Sequence, residues 1–122
     1  MTPLNFILVF IGGGAGSSFR FLIQTLTPKS DIPVSTLIVN VAGSFLIGLA
    51  LGIDDSLTKR LVITGFLGGF TTFSTFSNDN MQLLIKGKYT IFFVYILAAV
   101  FSALVATGLG YYISKFINNH SL

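Results

Sequence analysis

The chain contains no cysteine, no tryptophan and no glutamate. Without cysteine there is no disulfide, no thiolate metal site and no thiol nucleophile. The four acids are all aspartates: Asp31, Asp54, Asp55 and Asp79. Charge of either sign is scarce. Charged residues make up 9% of the 122 positions, against about 25% in an ordinary soluble domain. A chain this poor in charge cannot build a water-facing surface, so lipid must cover most of it. A glycine-rich phosphate-binding loop is also missing, which excludes an ATP-driven machine. The net charge of +3 is spread over the ends of apolar runs rather than gathered into a patch, so nothing points to nucleic acid. Nothing reads as a soluble enzyme.

What is present is apolar sequence, 52% of the chain, with a mean hydropathy of +0.85. A bilayer-spanning helix needs about 20 mostly apolar residues. Four runs meet that requirement, at about 5–26, 34–53, 61–85 and 89–113. They define one domain over 1–122, a four-helix all-α membrane protein. The start, Met1-Thr2-Pro3-Leu4-Asn5, lacks the basic region of a signal peptide. Thr27 to Pro33 forms a polar connection, and Pro33 suits the first turn of the second helix. Asp54 or Ser56 can cap the third. Tyr89 and Tyr111-Tyr112 suit the interfacial belts of the fourth.

The third run departs from a regular helix. It carries Gly65, Gly68 and Gly69, then Thr71-Thr72-Phe73-Ser74-Thr75-Phe76-Ser77. Glycine and β-branched residues both weaken a helix, so a break is expected near Gly68 to Thr75. A break at membrane depth frees backbone carbonyls and is tolerated only beside protein or a water-lined cavity. Small residues recur every four positions: Gly12 and Gly16; Ser44, Gly48 and Gly52; Ala98, Ser102, Ala106 and Gly110. Such stripes let helices approach closely, within one chain or between chains.

Four spans put Lys59, Arg60 and Lys115 on one side and Lys29, Lys86 and Lys88 on the other, with Arg20 near the latter. The positive-inside rule reads the difference between the sides, and here there is almost none. Either the insertion machinery settles a weak bias, or copies insert both ways and pair head to tail. Arg20 either snorkels to the interface or attracts anions in a vestibule. Asn40 is either an interhelical hydrogen-bond partner or a donor lining an anion path. Phe73 and Phe76, three apart, share a helix face. They are either ordinary packing or two positive ring edges along that path.

At these residues the chain resembles the Fluc/CrcB family of fluoride channels. The motifs are Gly13-Gly14-Ala15-Gly16 with Arg20, the run Val39-Asn40-Val41-Ala42-Gly43-Ser44-Phe45-Leu46-Ile47-Gly48, and above all Gly65-Phe66-Leu67-Gly68-Gly69-Phe70-Thr71-Thr72-Phe73-Ser74-Thr75-Phe76-Ser77. The resemblance implies an antiparallel, dual-topology homodimer in the cell membrane with two pores. These would let fluoride leave the cytoplasm passively. It implies pore roles for Asn40, Phe73, Phe76, Ser74, Thr75, Tyr95 and Arg20. It also implies a structural Na⁺ at the dimer axis, held by the backbone carbonyls of Gly68 and Thr71. Two positions depart from the pattern: Asp79 stands where relatives usually carry glutamate, and Ala99 where a hydroxyl is expected. One rival is a small multidrug-type cation/proton exporter, which needs a membrane-embedded glutamate. No carboxylate falls at mid-span here. The other rival is a non-conducting partner subunit of a heterodimeric fluoride channel, against which the retained Asn40, Phe73 and Phe76 weigh.

Overall fold

Helix dominates because nearly every apolar run is long and free of internal proline. The structure, a computed structural model, describes residues 1–120, and among them no strand occurs. Helix α1 spans Pro3–Leu26, with proline in its first turn where no amide partner is needed. Helix α2 spans Val34–Ala50. A third helical run begins with α3 (Ser56–Lys59), widens into a π-helical segment (Arg60–Leu67) and ends with α4 (Gly68–Phe70). Helix α5 spans Phe73–Ile85 and α6 spans Tyr89–His120. Two of these, α1 and α6, are both long and apolar enough to cross a membrane.

Several boundaries differ from the sequence expectation. The cap of α3 is Asp55 rather than Asp54 or Ser56: its carboxylate accepts from the Thr58 amide at 2.7 Å and the Thr58 hydroxyl at 2.6 Å. Those two bonds hold the Asp55 carboxyl below its ordinary range. Helix α2 stops at Ala50, three residues early, where Leu51 and Gly52 turn the chain. Helix α6 runs past residue 113 to His120, because nothing in Ser114–His120 breaks a helix even though the apolar run has ended. At 1.5 Å per residue it is about 48 Å long, well beyond a hydrocarbon core of about 30 Å. Helix α5 ends in a Schellman turn. Gly87 takes the left-handed conformation at φ 70°, the Lys88 amide donates to the Leu83 carbonyl at 2.8 Å, and the Gly87 amide donates to Leu84 at 3.0 Å.

The helices associate as two pairs. Helix α1 lies along the π-helical segment and α4, and α2 lies along α6. The small-residue stripes make both contacts. Gly12 and Gly16 face the backbone of Leu61, Gly65 and Phe66, and the rings of Phe19, Phe66 and Phe70 pack together beside them. Gly48 of α2 and Gly110 of α6 face each other backbone to backbone. These four glycines are therefore spent on packing within the chain, whereas Ala98 of the α6 stripe stays exposed. What remains outside is strongly apolar: the long outer faces of α1 and α6 are exposed Phe, Leu, Ile and Val.

The Gly48–Gly110 crossing leaves no space for a methyl group, whereas Gly108, two residues away on α6, has nothing near it. Gly108→Ala should stabilise the fold by up to about 1 kcal/mol through helix propensity. Gly48→Ala should destabilise it by about 1–3 kcal/mol through overpacking. Reversible unfolding of the two variants in mixed micelles measures both; equal shifts of the same sign would contradict the crossing.

Candidate functional site

The site is built around a place where helical hydrogen bonding stops. Thr71 is extended at φ −81°, ψ 156° and Thr72 at φ −149°, ψ 116°. Both lie between the end of α4 and the start of α5. Thr71 turns back on its own helix: its amide and its hydroxyl each donate to the Leu67 carbonyl at 3.0 Å. Gly43 of α2 makes room for it, because a side chain there would meet the Thr71 methyl and the Phe70 ring.

Thr72 is held by Asn40. The Asn40 Nδ2 donates to the Thr72 carbonyl at 3.0 Å, and the Thr72 amide donates to Asn40 Oδ1 at 2.8 Å. One side-chain amide thus mimics a strand partner for one residue. This is required where water is scarce, since an unpaired buried backbone group costs about 1–3 kcal/mol. Nδ2 has two protons, and one remains for the cavity that Asn40 lines. The two readings of Asn40, interhelical partner and free donor, are therefore compatible.

The Thr72 hydroxyl caps α5 by accepting from the Thr75 amide at 3.1 Å. It also donates to the Thr75 hydroxyl at 3.0 Å and lies 3.2 Å from the Ser74 hydroxyl. A hydroxyl has one proton. Thr72 gives its proton to Thr75, so Ser74 must be the donor to Thr72. The Ser74 proton is thereby spent, and the Thr75 proton is left to point onward.

Two cavities flank this knot. The first, of about 350 Å³, is lined by Asn40, Gly68, Thr71, Phe73 and Phe76, with Ala99 on the facing helix. Phe73 and Phe76 stand with centroids 5.6 Å apart, and Phe76 lies 5.4 Å from Tyr95. The Phe73 ring is 80% exposed and Tyr95 is buried. The Tyr95 hydroxyl makes no hydrogen bond of ordinary geometry among the described residues, with Thr36 its near polar neighbour. The second cavity, of about 420 Å³, has Thr75, Thr36 and Asp79 among its walls and Lys29, Asp31 and Lys86 towards the polar connections. Thr36 donates to Asp79 Oδ2 at 2.6 Å. The structure thus brings seven of the nine candidate residues (Asn40, Gly68, Thr71, Phe73, Ser74, Thr75 and Phe76) around one break, with Tyr95 against Phe76. It leaves Arg20 apart: half-exposed on α1, lining neither cavity and, among the described residues, making no hydrogen bond or ion pair.

Two residues do more than sequence reasoning gave them: it reads the Thr72 hydroxyl only as one possible anion donor and does not name Thr36 at all. Thr72 is the hub of the knot, and its signal was available, since a threonine just ahead of a helix is a favoured cap. Thr36 had no signal: its partner Asp79 is 43 residues away.

Such an arrangement defines a class, an all-α protein with membrane-length helices around an interrupted one. Within that class the chain belongs to the CrcB family: the profile described as CrcB-like protein, Camphor Resistance (CrcB) matches residues 7–111. It is similar to the fluoride-specific ion channel FluC of Azobacteroides pseudotrichonymphae, at 41% identity over 118 residues, covering 89% of this chain and 94% of that protein. The fluoride-specific ion channel FluC of Flavobacterium psychrophilum is 40% identical, covering 88% and 94%. That of Francisella tularensis subsp. tularensis is 41% identical, covering 90% and 94%.

If Asn40 holds the break, Asn40→Ala should lower the unfolding free energy by about 2–4 kcal/mol, since both Thr72 groups lose their partner. Asn40→Asp keeps the acceptor but sets its second oxygen against the Thr72 carbonyl, and should cost at least as much. Thermal unfolding followed by size exclusion reads the order; an alanine variant as stable as the parent would show that the clamp carries no weight.

Proposed function

We propose that the protein is a fluoride channel that lets the ion leave the cytoplasm down its electrochemical gradient. The observation that carries this is the meeting of uncharged donors at one break. Asn40, Phe73 and Phe76 line one cavity and Thr75 lines the next, and in our reading the second Asn40 amide proton, the positive ring edges and the Thr75 hydroxyl proton serve as the donors. The names of relatives about 40% identical along most of the chain support the same reading. Fluoride is small and tightly hydrated, and entry requires replacing part of its water. Ring edges, an amide and hydroxyls offer many weak contacts, and weak multi-site binding lets an ion leave as readily as it enters. Tyr95 backs Phe76 and directs its ring. Arg20, with no partner among the described residues, acts at a distance by drawing anions towards the mouth.

The path needs a second copy. Phe73 is a large aromatic exposed in the single chain, and both long helices carry apolar faces with nothing against them. The near balance of lysine and arginine across the connections favours insertion in both orientations. The assembly we infer is an antiparallel homodimer in the cell membrane. Each copy spans four times, the interrupted third helix lies at membrane depth, and two pores form. Na⁺ is the cation suited to its axis. The carbonyls of Gly68 and Thr71, doubled by symmetry, form an oxygen-only donor set of the kind unwound membrane helices offer Na⁺. Its role would be structural, bridging the two breaks, with a charge that also favours anions nearby.

Liposomes holding only this chain should release fluoride quickly and chloride far more slowly. Phe73→Ile and Phe76→Ile should each cut fluoride efflux at least tenfold per folded dimer. As packing changes alone they would cost under about 1.5 kcal/mol. Equal efflux of the two anions would overturn the channel reading; Ile variants that conduct like the parent would remove the rings from the path.

The assembly is tested on a chain that has no native cysteine to interfere. Single cysteines beside Lys59 and beside Lys88 should each be labelled from both faces of the cell membrane. Exchange of Na⁺ for a large organic cation should lower the melting temperature of the dimer. Labelling from one face only would contradict the antiparallel arrangement, and a melting temperature indifferent to the cation would remove Na⁺ from the axis.

A further inference from the structure

The second cavity opens between two polar connections, 27–33 and 86–88, that are distant in sequence. Three lysines stand there. Lys29 and Lys86 line the cavity, and Lys88 sits one residue beyond the Gly87 turn. Among the residues lining the rim, Asp31 is the one acid; Asp79 lies deeper, bonded to Thr36. Asp31 Oδ1 meets Lys88 Nζ at 2.6 Å. It is 69% exposed, so solvent reaches the carboxylate, and it lines the cavity. The Schellman turn at Gly87 aims Lys88 at this partner, and Pro33 closes the segment that carries Asp31.

We propose that Asp31 is an electrostatic throttle on anion entry: it cancels one of three rim lysines and so sets the fluoride conduction rate without touching the pore. The inference rests on the channel reading above. Lys88, and behind it Lys86, hold the Asp31 carboxyl below its ordinary range, so the charge is present throughout the physiological pH range. An exposed ion pair contributes little to stability, which leaves the field at the mouth as its main consequence. A unit charge about 8–10 Å from an ion in water changes its local concentration by about twofold, and the cavity's apolar walls enlarge this. At roughly 0.01 M ionic strength the Debye length is about 30 Å and the effect is felt in full; at roughly 1 M it is about 3 Å and the effect vanishes.

The test is fluoride current through the parent dimer, Asp31→Asn, Asp31→Glu and Lys86→Gln in planar bilayers. Ionic strength is set with sodium isethionate at about 0.01 M and about 1 M. At low ionic strength Asp31→Asn should conduct about two to three times faster than the parent, Lys86→Gln about twofold slower, and Asp31→Glu like the parent. At high ionic strength all four should converge. A merely structural strap would move the current equally at both strengths, or would make Asp31→Asn slower; either result overturns the throttle. So does an unchanged Asp31→Asn current at low ionic strength. A parent that passes no fluoride current overturns the channel reading instead, so the two failures are separable.

Discussion

One side-chain amide answering one backbone amide is the contact on which the rest depends. Polar backbone cannot be left unpaired in an apolar interior, and the chain interrupts its own helix at Thr71 and Thr72. Asn40 resolves the conflict by pairing with both the N–H and the C=O of Thr72. With Thr72 fixed, its hydroxyl is fixed, and through it those of Ser74 and Thr75. The start of α5 then determines where Phe73 and Phe76 project. The start of α5 is thus hung on a structural repair, and the side chain that makes the repair spends one of its two amide protons on it.

Close helix approach is what brings Asn40 to Thr72. Lipid offers helices no hydrophobic incentive to associate, so contact depends on small residues that let backbones meet. The chain uses glycine for this within each pair, Gly12 and Gly16 under the π-helical segment and Gly48 against Gly110, and Gly43 where α2 meets the break. The polar connections add little rigidity but distribute charge: Asp31 with Lys88 on one end, and the Asp55 cap with Lys59 and Arg60 at the turn before the π-helical segment. The wide apolar surface left outside is of the kind that lipid covers.

Much of this was legible because hydrophobicity in a membrane chain is blunt. Low charge and long apolar runs give an all-α protein, and the helices of the structure start close to where those runs begin. The extended pair Thr71–Thr72 falls inside the stretch where glycine and β-branched residues weaken a helix. The motif around Asn40, Phe73 and Phe76 was specific enough to lead to the family that the profile identifies. Other features were not legible. A helix end past the apolar run, as at Ser114–His120, has no marker when nothing breaks the helix. The choice of Asp55 over its neighbours as cap depends on one turn's dihedrals. The Thr36–Asp79 bond joins residues that no spacing rule connects. Whether Asn40 bonded to backbone or faced a path was open, because the answer depends on counting protons in three dimensions.

The central claim is that Asn40 holds the break with one amide proton and offers the other to fluoride. Solid-state NMR on the asparagine-¹⁵N-labelled protein in lipid, with fluoride bound, tests it through ¹⁹F–¹⁵N dipolar coupling. The account predicts a fluoride about 3 Å from the Asn40 side-chain nitrogen, while the same group keeps its hydrogen bond to Thr72. A preparation that conducts fluoride yet shows no coupling at Asn40, or shows it only with the Thr72 bond broken, would contradict the account.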